Sequence, residues 1–296
     1  MKKIFLIITI WITISFTTPA NAFSITPSKM LLTMDPGNNK SISIEVYNTG
    51  NTDQYFAARI LGVRQDNSGK PEFVRGINEA ENWVKIKENN ILIKSKQKNN
   101  INLEIVVPKD VRSGSYYLAI AIRPQTQTDN TSAIIGEVVS LLNIQVSGTA
   151  YENIVITKWA FDKTKSNKNN WVFDLNLANN GNMDADMTGS IIIKSWKGDE
   201  LIRQNIKLGN KLLTNSVRFL NPKVDLSNNL IFPMVYQSSI EIKYGLLGQS
   251  TVATEYVFFL PLWSKVLGSI VVILIIVVCF ALFKAKNERK KEMHSN

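Results

Sequence analysis

The sequence predicts an all-β chain, with two β-sandwich domains in tandem followed by a single C-terminal transmembrane helix. Three observations predict it. Short apolar runs of period two recur from residue 23 to residue 260, with almost no helical period between them. A segment starting at residue 46 finds a counterpart at an offset of 131. An uncharged run of eighteen residues, 266–283, lies near the end of the chain.

Residues 1–22 read as a secretory signal: Lys2 and Lys3, an apolar run over 4–14, then the small-residue cleavage site Ala20-Asn21-Ala22. The first domain, 23–148, carries expected strands at 23–32, 39–48, 54–63, 83–93, 99–107, 114–122 and 133–146. Over 41–47, Ile42, Ile44 and Val46 face one way and Ser43 and Glu45 the other. Ile101, Leu103, Ile105 and Val107 repeat the pattern over 100–107. Each such side chain contributes ~1.5–3 kcal/mol when fully buried, so a one-residue slip would forfeit a whole row. The run 116–122 is apolar on both faces, as a central strand would be, and 64–82 reads as a long loop crossing between sheets.

The second domain, 149–260, alternates in the same way, with Trp171, Phe173, Leu175 and Leu177 inward, and further on Ile240, Ile242 and Tyr244. The repeat pairs VYNTGNTD at 46–53 with LANNGNMD at 177–184, each a strand running into Asn-x-Gly-Asn. Gly50 and Gly181 are expected to take the positive φ that a tight turn demands. Trp83, Trp159, Trp171 and Trp196 fall at strand positions and read as core.

Fourteen of the eighteen residues in 266–283 are Leu, Ile, Val or Phe. As a helix they cover roughly 27 Å, close to the hydrocarbon thickness of a bilayer. The expected span is 261–283, followed by the basic tail 284–296. Lys284, Lys286, Arg289, Lys290 and Lys291 outnumber Glu288 and Glu292, which places the tail in the cytoplasm. Tyr256, Phe258, Phe259 and Trp263 form the aromatic belt expected at the other interface, with 23–260 extracytoplasmic at the cell membrane.

Charge and reactive residues narrow the function. The formal net charge is +10, but without Lys2, Lys3, Lys265 and the tail there remain 26 basic against 22 acidic residues. That mild, scattered surplus of +4 argues against a nucleic-acid partner. Cys279 lies in the span and His294 in the tail, and the sequence has no other cysteine or histidine. The extracytoplasmic part therefore has no thiol nucleophile, disulfide, histidine triad or His/Cys metal site. Asp184 and Asp186 read as a polar turn. No enzyme, cofactor or metal is expected, and binding is.

Two passages carry a resemblance. FSITPSKMLLTMDPGNNKSISIEVYNTGN, followed by ILIKSKQKNNINLEIVVPKDVRSGSYYLAIAI, resembles the N-terminal domain of periplasmic pilus chaperones over roughly 23–148. The shared features are a Pro-Gly turn into an alternating strand ending in Asn, and Val107-Pro108 leading to Gly114-Ser115-Tyr116-Tyr117. The resemblance implies immunoglobulin-like β-sandwich domains. The overall plan is similar to that of the membrane-anchored partners of WxL-domain surface proteins, and KLLTNSVRFL at 211–220 resembles a passage of their second domains. It implies a secreted or surface protein as partner, with the cell wall as a further contact. In the chaperones two basic residues grip the partner's C-terminal carboxylate. Lys29 matches the first, and no basic residue between Glu137 and Tyr151 matches the second.

The expected partner site is the last strand of the first domain, AIIGEVVSLLNIQV at 133–146. It is expected at a sheet edge, with Val138, Leu142, Ile144 and Val146 facing the core. Ile135, Val139 and Leu141 then stand on the outer face, an apolar alternation suited to receiving a partner's strand. The same pattern resembles the docking strand of the pilus chaperones. The expected function is a membrane-anchored scaffold that holds or helps assemble another surface protein; a tethered chaperone for pilin-like subunits is the alternative, and a cell-wall enzyme a minor one.

Overall fold

In a computed structural model of the chain, the described residues are 23–125, 136–167, 169–226, 234–260 and 262–293. Residues 1–22, expected to be a secretory signal, and Ile135 lie outside them. The chain divides into two compact units, with the main division between Glu152 and Asn153. Each is an immunoglobulin-like β-sandwich.

The first unit begins with β1 (Phe23–Thr26) and β2 (Lys29–Met34), continues through β3 (Asn39–Asn48), β4 (Gln54–Gln65) and β5 (Pro71–Val74), and then forms a 3-10 turn at Glu79–Trp83. The strands β6 (Val84–Ile86), β7 (Ile91–Ile93), β8 (Lys98–Val106), β9 (Gly114–Gln125) and β10 (Val138–Val146) complete it. One sheet runs β1-β3-β8-β6; the other runs β2-β10-β9-β4-β5, with β7 also on β4. Their facing sides share one core, in which Ile44, Val46, Ile101, Leu103 and Ile105 meet Phe56, Leu118, Ile120, Ile122, Leu142 and Ile144. The alternation over 41–47 and 100–107 thus has the expected face inward, and β9 is central, flanked by β10 and β4.

Three expected element boundaries differ in the first unit. The first strand, read as one over 23–32, is two. Pro27 lacks the N–H to continue a ladder, and the chain changes sheets there: β1 pairs with β3 and β2 with β10. The 83–93 strand is likewise split between sheets, β6 pairing with β8 and β7 with β4. The stretch 64–82 is ordered rather than looped. Arg64 and Glu72 pair across the β4–β5 hairpin, and Asn78 with Glu81 forms a capping box on the 3-10 turn.

The second unit contains β11 (Ile154–Phe161), β12 (Asn170–Asn179), β13 (Met187–Lys194), β14 (Glu200–Ile206), β15 (Val217–Leu220), β16 (Lys223–Asp225), β17 (Met234–Tyr244) and β18 (Gln249–Phe259). One sheet is β11-β12-β15, with β16 also on β12, and the other is β14-β13-β17-β18. Trp171 packs edge-on against Phe161, Tyr236 and Phe259, and Trp159 stacks on Phe173 at 4.4 Å between ring centres. Trp83, Trp159 and Trp171 are buried as expected. Trp196 is not: it sits in the β13–β14 turn, 68% exposed, under the Lys197 ammonium. Arg218, within the KLLTNSVRFL passage, is buried and donates to the carbonyls of Leu208, Asn210 and Lys211, closing the 208–211 segment that leads into it. Burial pushes its guanidinium pKa down.

The internal repeat has a physical basis other than its glycines. Neither Gly50 nor Gly181 has a positive φ. In the first unit the Asn48 side chain closes the turn itself, accepting from Gly50 N–H at 2.9 Å and donating to the carbonyls of Thr52 and Ile93. Asn179 is its counterpart, buried and donating to the Leu212 carbonyl at 2.9 Å. With the side chain supplying the turn's hydrogen bond, the left-handed conformation is not required.

The helix α1 (Leu262–Met293) follows β18 and is 32 residues long. Its stretch Trp263–Lys284 is long and apolar enough to cross a membrane, and none of that stretch is buried.

Candidate functional site

The sheet that contains the expected partner strand has an outer face built from residue pairs across its ladders. Leu141 is opposite Ala119 on β9 and Lys29 on β2, and Ala119 is opposite Leu61 on β4. Val139 is opposite Ala121, which is opposite Arg59. The two alanines are small enough for their neighbours to close over them. Leu61, Ala119 and Ala121 are buried under half-buried Val63, Val139 and Leu141. One end of the strip is fenced by a bidentate pair, Arg59 Nε and Nη2 to Glu137 at 2.8 and 2.7 Å. This bond raises the arginine pKa. Leu31, 62% exposed, and Phe73, 40% exposed, extend the strip on β2 and β5.

The expected strand is not the edge. Over Leu141–Val146, β10 is paired on both sides, antiparallel to β9 and parallel to β2. The sheet ends one strand further out, at β2, because the first strand crosses over after Thr26 and lies along β10. Leu142, Ile144 and Val146 do face the core, and Val139 and Leu141 the outer face. Lys29 is exposed at the start of β2, beside Leu141.

The backbone of β2 alternates as its side chains do. Ser28 and Met34 carbonyls accept from Leu141 and Ser147 N–H, both at 2.9 Å. By parity the even-numbered residues turn their N–H and C=O groups to β10, and Lys29, Leu31 and Thr33 turn theirs to the open side. No strand among the described residues pairs with that side. Reading 23–32 as one strand hid this edge; the signal that reveals it is Pro27 inside the run, followed by alternating Lys-Met-Leu-Leu-Thr-Met. Among the described residues no three His, Cys, Asp or Glu side chains come together as a metal site.

No protein-family model matches the chain, and no curated protein matches it by sequence. Solved structures do match. A chaperone–tip adhesin complex of CFA/I fimbriae is 16% identical, over 79% of this chain and 98% of that one, with a TM-score of 0.44. The chaperone–tip adhesion subunit complex CsuC-CsuE of Acinetobacter baumannii is 13% identical over 79% and 97%, with a TM-score of 0.39. The E. coli chaperone DraB is 9% identical over 81% and 97%, with a TM-score of 0.38. At these identities the likenesses are of fold alone.

Proposed function

We propose that this chain is a membrane-tethered, chaperone-like binding protein that captures an extended segment of another secreted or surface protein by strand addition to its first domain. The observation that carries this reading is the open edge of β2 beside the apolar strip of Leu31, Leu141, Val139 and Leu61. Lys29, Leu31 and Thr33 each offer a donor and an acceptor, and each bond formed contributes about 0.5–1.5 kcal/mol net. Affinity then comes from the ladder, and selectivity from alternate side chains seated on the outer face. Lys29, at the start of this edge, is the group best placed to meet a carboxylate on the incoming segment. The tether is α1, with both domains outside the cytoplasm and the basic tail inside. The likeness in plan to the partners of WxL-domain proteins adds the cell wall as a second contact in this reading.

Leu31→Pro tests it. The substitution removes a donor on the open side and none from the β2–β10 ladder, and edge strands tolerate proline. Full-length chain extracted in detergent should fold as the wild type but retain its co-purifying surface protein at least about tenfold less, since a lost ladder bond and a blocked approach together exceed ~1.4 kcal/mol. Mass spectrometry of the retained protein distinguishes a pilin-like subunit from a wall-anchored one. Undiminished capture by the folded variant would show that the partner docks elsewhere.

A further inference from the structure

The outer face of the β14-β13-β17-β18 sheet carries a second apolar surface. Alternation along β18 puts Val252, Thr254, Tyr256 and Phe258 on this face, while Ala253, Val257 and Phe259 turn to the core. Tyr256 and Phe258 are 67% and 66% exposed, and Val235, opposite Phe258 on β17, is 44% exposed. Phe259, expected in the aromatic belt, is instead a core residue against Trp171 and Tyr236.

The face changes character along its length. Its first row is Phe258 with Val235, and its second is Tyr256 with Gln237, Lys194 and Glu200, the last paired with Arg203 at 2.6 Å. Next come Thr254 and Ser239, whose hydroxyls bond each other at 3.1 Å, with Ile192 and Arg203 further along the row. Beyond them lie Val252 with Glu241 and Ser250 with Lys243, and Glu241 pairs with Lys243 at 3.7 Å. The end that carries the exposed aromatic rings is the one from which the chain leaves for α1, while exposed Leu246 and Leu247 lie in the turn at the other end. Phe258 is four residues before Leu262, a reach of at most about 14 Å, and Tyr256 lies at most about 21 Å away. Trp263 and Lys265 stand in the first turn of α1. Tyr, Trp and Lys settle at the headgroup level of a bilayer, with apolar bodies below and polar tips above, and Phe enters the headgroup–acyl boundary.

We propose that this end of the sheet is a lipid-docking surface, seated on the bilayer that α1 enters. Phe258 and Val235 reach the headgroup–acyl boundary, Tyr256 lies at headgroup level, and Lys194 and Arg203, two cations against Glu200, meet anionic headgroups. The proposal rests on the reading of α1 as a membrane anchor. The second domain is then held on the membrane surface and does not swing on a free tether.

The experiment uses full-length chain reconstituted into vesicles of mixed phosphatidylcholine and phosphatidylglycerol. A nitroxide on native Cys279 reports the span. In a Cys279→Ser background, nitroxides at Phe258→Cys, Tyr256→Cys and Ser250→Cys report the two ends of the sheet face. The expected result is a ratio of oxygen to nickel-chelate collisions several-fold higher at 258 and 256 than at 250. Equal, water-like ratios at all three positions, with Cys279 still deep, overturn the docking surface and leave the anchor standing. A water-like Cys279 overturns the anchor and the docking surface together. Spin–spin broadening at 258, or protection from both colliders, means that a second copy or another protein covers the face, and also overturns it.

Discussion

Asn48 and Asn179 show how much one buried amide can hold in place. Each ends a strand, and each donates across to a neighbouring segment, Asn48 to Ile93 and Asn179 to Leu212. Asn48→Ala should destabilise the first domain by about 1–3 kcal/mol, since the buried Ile93 carbonyl loses its donor. Asn48→Asp keeps the acceptor for Gly50 N–H but turns a carboxylate towards two carbonyls, and should cost at least as much. Urea unfolding of the detergent-solubilised chain, followed by tryptophan fluorescence, measures both. Ala and Asp variants as stable as the wild type would mean that the turn holds itself without the side chain.

Strand β3 provides the test of register at the level of an element. Ile44 is fully buried, and its neighbour Ser43 is exposed on the other face. Ile44→Asp places an unpaired charge in the core and should unfold the first domain, at a cost of several kcal/mol. Ser43→Asp should change stability by no more than about 0.5 kcal/mol. Circular dichroism melts of the two variants separate them, and similar losses from both would contradict the register. The same logic explains β10. Its inward row is legible from alternation, but alternation does not tell which strand lies beside it.

For the whole molecule, the charge of the tail bears on direction across the membrane. The helix is long and apolar enough to span, and the tail charge predicts its orientation. A reporter active only outside the cytoplasm should be active when fused after Leu260 and silent when fused after Asn296. The reverse pair of results would invert the placement of both domains and remove the proposed capture of a surface protein.

What the sequence determined by itself is whatever depends on local period and composition. The inward rows of β3, β8, β12 and β17 follow from alternation, because a two-residue period can bury only one set of side chains. A helix long and apolar enough to span follows from a run of apolar residues that nothing charged interrupts. Val139 and Leu141 were legible as outward-facing for the same reason. Tertiary structure decided which strand stands beside which. That β2 covers β10 and becomes the edge depends on the chain crossing between sheets at Pro27, a pairing of residues more than a hundred positions apart in sequence. It also decided that Phe259 is core and Phe258 is surface, although both are aromatic and adjacent. Composition is the same on either side of such a boundary. Only the position of the opposing sheet distinguishes them.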